Sequence, residues 1–137
     1  MIRALVVLLG AAAVVATLDL THKALSVSDQ GGAVLAHDRP ASYVAGLAAV
    51  SVAWTGAIAL VRSASIALAG GLVLGGAVGN LASFALWPSV PGVPDPLIAG
   101  GIAFNLADVS AVLGLALLVP TILVFALHNR ERLFEPI

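Results

Sequence analysis

The chain contains no cysteine, which excludes a disulfide framework, a thiol nucleophile and a thiolate metal site. Charge is scarce as well. Asp, Glu, Lys and Arg make up 9% of the 137 residues, whereas a soluble domain carries roughly 25%. With a net charge of −1 and no basic cluster, nothing points to nucleic acid. Aromatic residues, at 5%, are too few to line a ligand-binding cavity. Motifs for a zinc protease, a serine-hydrolase elbow or a phosphate-binding loop are missing. His22 and His37 lack the spacing of a ligand set, so a metal site is not expected.

What is present is hydrocarbon, 61% of the residues. Segments 4–18, 40–61, 63–94 and 109–129 contain no charged side chain. A helix needs about 20 apolar residues to cross a membrane. Three of the four runs suffice, and the first reaches that length by taking in Asp19 and Lys23 at one end. Residues 1–16 have the basic start and apolar core of a cleavable signal peptide. The segment continues through Asp19 and Lys23 before it breaks, however, and the later spans need a first helix to pack on. The pattern therefore predicts one all-α membrane domain over residues 1–137, a four-transmembrane-helix bundle with helices at about 3–25, 41–61, 64–87 and 99–127. Pro88, Pro91, Pro94 and Pro96 interrupt the chain before the last helix, and Pro120 is expected to kink it.

Arg3, Arg62, Arg130 and Arg132 fall on one side of such a bundle, Lys23 and Arg39 on the other. The basic excess predicts that both termini are cytoplasmic, with a short extracytoplasmic segment, 26–40, between helices 1 and 2. Asp19, Asp29, Asp38, Asp95 and Asp108, all the aspartates of the chain, then gather at the outer side. A carboxylate close to hydrocarbon is costly, so a cluster of them reads as a site. At about 1.5 Å per residue, Asp19, Asn80 and Asp108 lie roughly 24, 27 and 33 Å from the inner edge. Three helices thus bring polar groups to a similar depth.

Asp19 and Lys23 stand at i and i+4, the order that favours a salt bridge. As a surface pair, with Lys23 reaching outward to the interface, they would contribute only about 0.3–0.5 kcal/mol. The alternative is a pair that positions a lipid headgroup or a neighbouring reactive group. Gly71, Gly75 and Gly79 recur every four residues and read as a close-packing stripe, followed by Asn80, a buried amide in need of partners. Asn105 and Asp108 have the spacing of a helix N-cap and its first-turn acid. That explanation weakens if residues 98–103 already belong to the membrane helix. Asp95, set among prolines, has the setting of an Asp-Pro turn. Two aspartates from separate segments that meet at a dry interface can instead share a proton, one acting as base for water and the other as acid.

These motifs, in this order, resemble the lipoprotein signal peptidase (signal peptidase II) family. Asp19-Leu20-Thr21-His22-Lys23 is similar to the family's D-x-x-x-K, and Gly75-Gly76-Ala77-Val78-Gly79-Asn80-Leu81 to its G-G-A-x-G-N-L. Gly92-Val93-Pro94-Asp95 resembles the stretch bearing one catalytic aspartate, and Phe104-Asn105-Leu106-Ala107-Asp108 the F-N-x-A-D stretch bearing the other. The resemblance implies a membrane aspartic endopeptidase in which Asp95 and Asp108 are catalytic. It gives Asp19, Lys23, Asn80 and Asn105 a supporting or substrate-positioning role. It implies a multi-pass protein of the bacterial cytoplasmic (inner) membrane, acting as a monomer among membrane lipids, with its active site at the extracytoplasmic face. The substrate would be a prolipoprotein already modified with diacylglycerol, cut just before the lipidated cysteine, without metal or cofactor. There are departures. Ala82-Ser83-Phe84 stands where the family has I-D-R, and the segment between helices 1 and 2 is shortened, with 30–35 only faintly similar to the family's N-x-G-A-A-F. A catalytically silent homologue that binds lipoproteins or a membrane partner is the alternative. A small transporter fits less well, because transporters hold their carboxylates near the midplane.

Reporter fusions test the expected orientation. Fusions after Ser63 and at the C-terminus should read cytoplasmic, and fusions near Gln30 and Gly92 external. A cytoplasmic signal at Gly92 would contradict the outer-face cluster.

Overall fold

A computed structural model describes residues 2–29, 35–90 and 92–130. The expectations placed on 30–34, Pro91 and Arg132 lie outside the described residues. Four helices dominate: α1 (Ile2–Asp29), α2 (Ala41–Val61), α3 (Ala64–Leu86) and α4 (Leu106–His128). Each is long and apolar enough to cross a membrane, which makes this a multi-pass membrane protein. Two short antiparallel pairings sit at one end of the bundle. They are formed by β1 (Ala36–His37) with β2 (Val93–Pro94), and by β3 (Leu97–Ala99) with β4 (Ile102–Phe104).

The last helix corrects the sequence reading. It begins at Leu106 rather than near 99, because residues 97–104 form a hairpin in which Leu97 faces Phe104 and Ala99 faces Ile102. Gly100 and Gly101 make the turn at φ 58° and 79°. Two consecutive positive φ angles are what a two-residue hairpin turn requires. A short apolar run is compatible with either strand or helix, and here the glycine pair decides for the strand. At the other end of the bundle, α2 stops at Arg62, which takes a left-handed conformation at φ 56°. The Ser63 hydroxyl then caps α3 by accepting the Ile66 amide at 3.4 Å. Helix α1 runs about one turn further than expected, to Asp29. Helix α4 continues through Pro120, and the Thr121 hydroxyl bonds back to the Leu117 carbonyl at 2.8 Å.

Helix α3 is the axis, packed chiefly against α1 and α4, with α2 more lightly attached. Its small residues set the spacing. A Cβ at Gly71 would lie 2.6 Å from the Leu8 carbonyl oxygen, and one at Gly75 would lie 2.6 Å from Val15 Cβ and 2.8 Å from the Ala12 carbonyl oxygen. The helix backbones therefore touch along this stripe, with no room for a methyl group. Gly76, on another side, faces the Ala107 carbonyl of α4. Helix α2 docks by other means. The Trp54 indole donates to the Gly70 carbonyl at 3.0 Å, and Ile58 lies against Gly70. Outward-facing Val52, Val112 and Val124 are largely exposed, as lipid-facing residues are.

The buried stripe of α1 is Ala4, Leu8, Ala12, Ala16, Asp19 and Lys23. One helix face thus changes from apolar to charged as it nears the strand end. This change makes the site possible.

The stripe carries a direct test. Gly75→Ala should lower stability in detergent by about 1–3 kcal/mol, the usual cost of overpacking. Gly46→Ala, whose new methyl would meet nothing within 4 Å among the described residues, should be neutral or mildly stabilising. Equal thermal midpoints for the two variants would contradict the backbone contact.

Candidate functional site at the strand end of the bundle

Asp19 and Lys23 are fully buried, each with 0% exposure. Of the two readings of this pair, the outward-reaching surface group is the one the burial excludes: the Lys23 ammonium turns into the bundle. It lies 2.7 Å from Asp19 Oδ2, a close ion pair whose angles fall outside hydrogen-bond geometry. It donates to Asn80 Oδ1 at 2.8 Å and to Ser83 Oγ at 3.1 Å. Two of the three ammonium hydrogens are thus accepted by α3 side chains, and Asp19 balances the charge. Ser83 passes its own proton to the Gly79 carbonyl at 2.8 Å, closing that side. The acceptors come from α3, 57 and 60 residues away in sequence, which is why local spacing could not show the inward turn.

Asp19 does a second job with its other oxygen. Oδ1 accepts the backbone N–H of Ala107, in the first turn of α4, at 2.9 Å. The first amides of a helix have no partner within it and carry partial positive charge. A carboxylate from a different helix supplies both the acceptor and the opposite charge. Gly79 makes this possible, because a Cβ there would lie 2.6 Å from Asp19 Oδ2. That glycine serves the site as well as the packing.

Asn105 is the N-cap of α4, and with Asp108 it forms a complete capping box. Its side-chain oxygen accepts the Asp108 amide at 3.0 Å, and Asp108 Oδ2 accepts the Asn105 amide at 3.1 Å. Capping, the explanation that weakened under the longer helix, is therefore realised, because the helix starts where the cap stands. The same residues reach further. Asn105 Nδ2 donates to Asp95 Oδ1 at 2.5 Å and to the Pro94 carbonyl at 3.4 Å. Asp108 Oδ1 accepts Asn80 Nδ2 at 3.3 Å.

Asp95 lies in the two-residue link between β2 and β3 and is 3% exposed. Its amide donates to the Leu35 carbonyl at 2.8 Å, and its Oδ2 is held by His37 Nδ1. Asp95, Asn105, Asp108, Asn80, Lys23 and Asp19 thus form one unbroken chain of polar contacts, drawn from three helices and a loop. Both Asp95 and Asp108 bond directly to Asn105. Beside Asp108 runs an apolar groove of about 370 Å³ that Ile102, Phe104, Val109 and Val112 help to line.

Sequence reasoning missed two members. Ser83 counted only as a departure from a motif, yet its place four residues after Gly79, on the buried face of α3, was a usable signal. His37, which the sequence offers only as a weak metal-ligand candidate, contacts Asp95. Its partner is brought in by a strand pairing that no local pattern announces. Comparison of the chain with family models, with curated proteins and with solved structures gave no match.

The buried joint predicts an outcome that a surface pair does not. Asp19→Ala leaves Lys23 without its counter-charge and the α4 amide without its acceptor, so stability should fall by about 3–5 kcal/mol. Adding Lys23→Met removes the stranded charge and should restore part of that loss. A cost for Asp19→Ala within the range of exposed pairs, about 0–1 kcal/mol, would contradict the joint.

Proposed function

We propose that the protein is a membrane aspartic endopeptidase of the lipoprotein signal peptidase type. In this reading it lies in a bacterial cytoplasmic membrane with both termini inside, and it cuts diacylglyceryl-modified prolipoproteins just before the lipidated cysteine. Asp95 and Asp108 are its catalytic pair. The observation that carries the proposal is that two carboxylates from separate segments bond to one residue, Asn105, at the same end of the bundle. The four motifs of the resemblance all contribute side chains to that cluster, which is further support.

The chemistry follows from the pair. One carboxylate takes a proton from a water whose oxygen attacks the carbonyl carbon of the scissile peptide. The other, protonated, gives its proton to the carbonyl oxygen, forming a tetrahedral diol. Collapse of the diol breaks the C–N bond: the first acid gives the proton it took from water to the leaving nitrogen while the second takes one back from a diol hydroxyl, so the pair ends as it began. Asn80 and Asn105 hold the acids in place, and Asp19 and Lys23 anchor the helix that carries Asp108. The apolar groove beside Asp108 suits a lipidated or membrane-embedded substrate.

A second reading is a catalytically silent relative that binds lipoproteins or a membrane partner. One observation favours it: every oxygen of Asp95 and Asp108 already has a partner within the chain.

Purified full-length protein supplied with a lipid-modified precursor separates the two. Asp95→Asn and Asp108→Asn should each abolish cleavage without reducing membrane insertion. The double variant should be no worse than either single, because the two groups act as a unit. Full cleavage by Asp95→Asn would rule out this pair, and binding without cleavage by the unaltered protein would establish the silent reading.

A further inference from the structure

We propose that His37 is a positioning residue for Asp95, fixing the plane of its carboxylate from the segment between α1 and α2. The inference rests on the reading of Asp95 as one of the catalytic pair.

The two aspartates are held differently. Asp108 sits in the first turn of a helix, where the backbone and the capping box fix it. Asp95 has no helix behind it, only the link between two short strands. The last torsion of an aspartate is broad, so a carboxylate with one partner can swing about that partner. Asn105 supplies one contact, to Oδ1. His37 Nδ1 supplies the other, to Oδ2. With Asp95 as the ionised member of the pair, its oxygen can only accept, and Nδ1 then carries the hydrogen of this bond. Donors on both oxygens leave the plane of the group a single orientation.

The segment bearing His37 is itself fixed against the Asp95 loop. His37 pairs with Val93 and Ala36 with Pro94, and Leu35 accepts the Asp95 amide. Gly92, at φ 107°, lets the two backbones approach, since a Cβ there would collide with the His37 carbonyl. The imidazole is 51% exposed while its partner carboxylate is 4% exposed. The ring therefore bridges the surface to a buried acid. The sharing of Asp95 between His37 and Asn105 explains how a shortened segment between the first two helices can still serve the site.

The test uses the full chain in detergent or lipid with two independent readouts. The first is the imidazole itself. With [15N]histidine there are three residues to resolve, and His37→Asn identifies the signal of His37. A low-field Nδ1–H proton resonance is expected for His37 and should be lost in Asp95→Ala. An Nδ1–H signal unchanged by Asp95→Ala overturns the proposal whether or not the protein cleaves anything. The second is turnover of a lipid-modified precursor. His37→Phe should lower kcat by about 10- to 100-fold, the scale of a misplaced reacting group, with KM unchanged. His37→Asn, whose amide nitrogen can occupy the place of Nδ1, should recover most of that loss. A rise in KM alone, or no rescue by Asn, overturns the positioning role. A low-field signal in a wild-type protein without turnover would leave the contact standing and remove the peptidase reading.

Discussion

The carboxylate of Asp19 joins three parts of the molecule. One oxygen receives the first-turn amide of Ala107 in α4, the other faces the ammonium of Lys23, and Gly79 of α3 leaves the space in which both contacts form. Ala107 and Asp19 are both fully buried, so no water is at hand to satisfy the free amide of the helix end and an acceptor must come from elsewhere in the protein. A carboxylate alone in such a place would be prohibitively expensive, and a lysine alone equally so. Each makes the other tolerable. Asn80 and Ser83 accept hydrogen bonds from Lys23, so the pair is enclosed rather than merely adjacent.

The placement of the other polar groups follows from that joint. Because Asp19 fixes the start of α4, Asn105 stands at the cap, and Asn105 holds Asp108 on one side and Asp95 on the other. Asn80 closes the circuit between Lys23 and Asp108. The glycines of α3 have two functions in this arrangement. They let α1 and α4 approach to backbone contact, and at Gly79 they open the space for a charged group. Stability and site are built from the same residues, so substitutions that loosen the α1–α3 contact should also disturb the spacing of the acids.

Much of this was legible in the sequence because it depends on local spacing. Four apolar runs announced four helices, the fourfold glycine repeat announced a close contact, and Asp19, Asn80 and Asp108 were placed at similar depth by counting rises. What was not legible depends on partners distant in sequence. Lys23 was free to point outward until Asn80 and Ser83 were known to face it. The start of α4 was misplaced because residues 98–103 are apolar without a diagnostic period, and only the positive φ angles of Gly100 and Gly101 settle them as a hairpin. That error also made the capping role of Asn105 look weak. His37 came to Asp95 through a two-residue strand pairing, too short to leave a trace in the pattern of residues.

Lys23 is the only lysine in the chain, so a protein labelled with [15N]lysine reports on the joint through one side-chain signal. Solid-state NMR in lipid should give a single ammonium resonance, slow to exchange with water. It should be dipolar-coupled to an aspartate carboxyl carbon, at a distance fitting an N–O separation of 2.7 Å, and to the side-chain carbonyl of Asn80. A rapidly exchanging ammonium with neither coupling would place Lys23 in solvent and contradict the structure of the site.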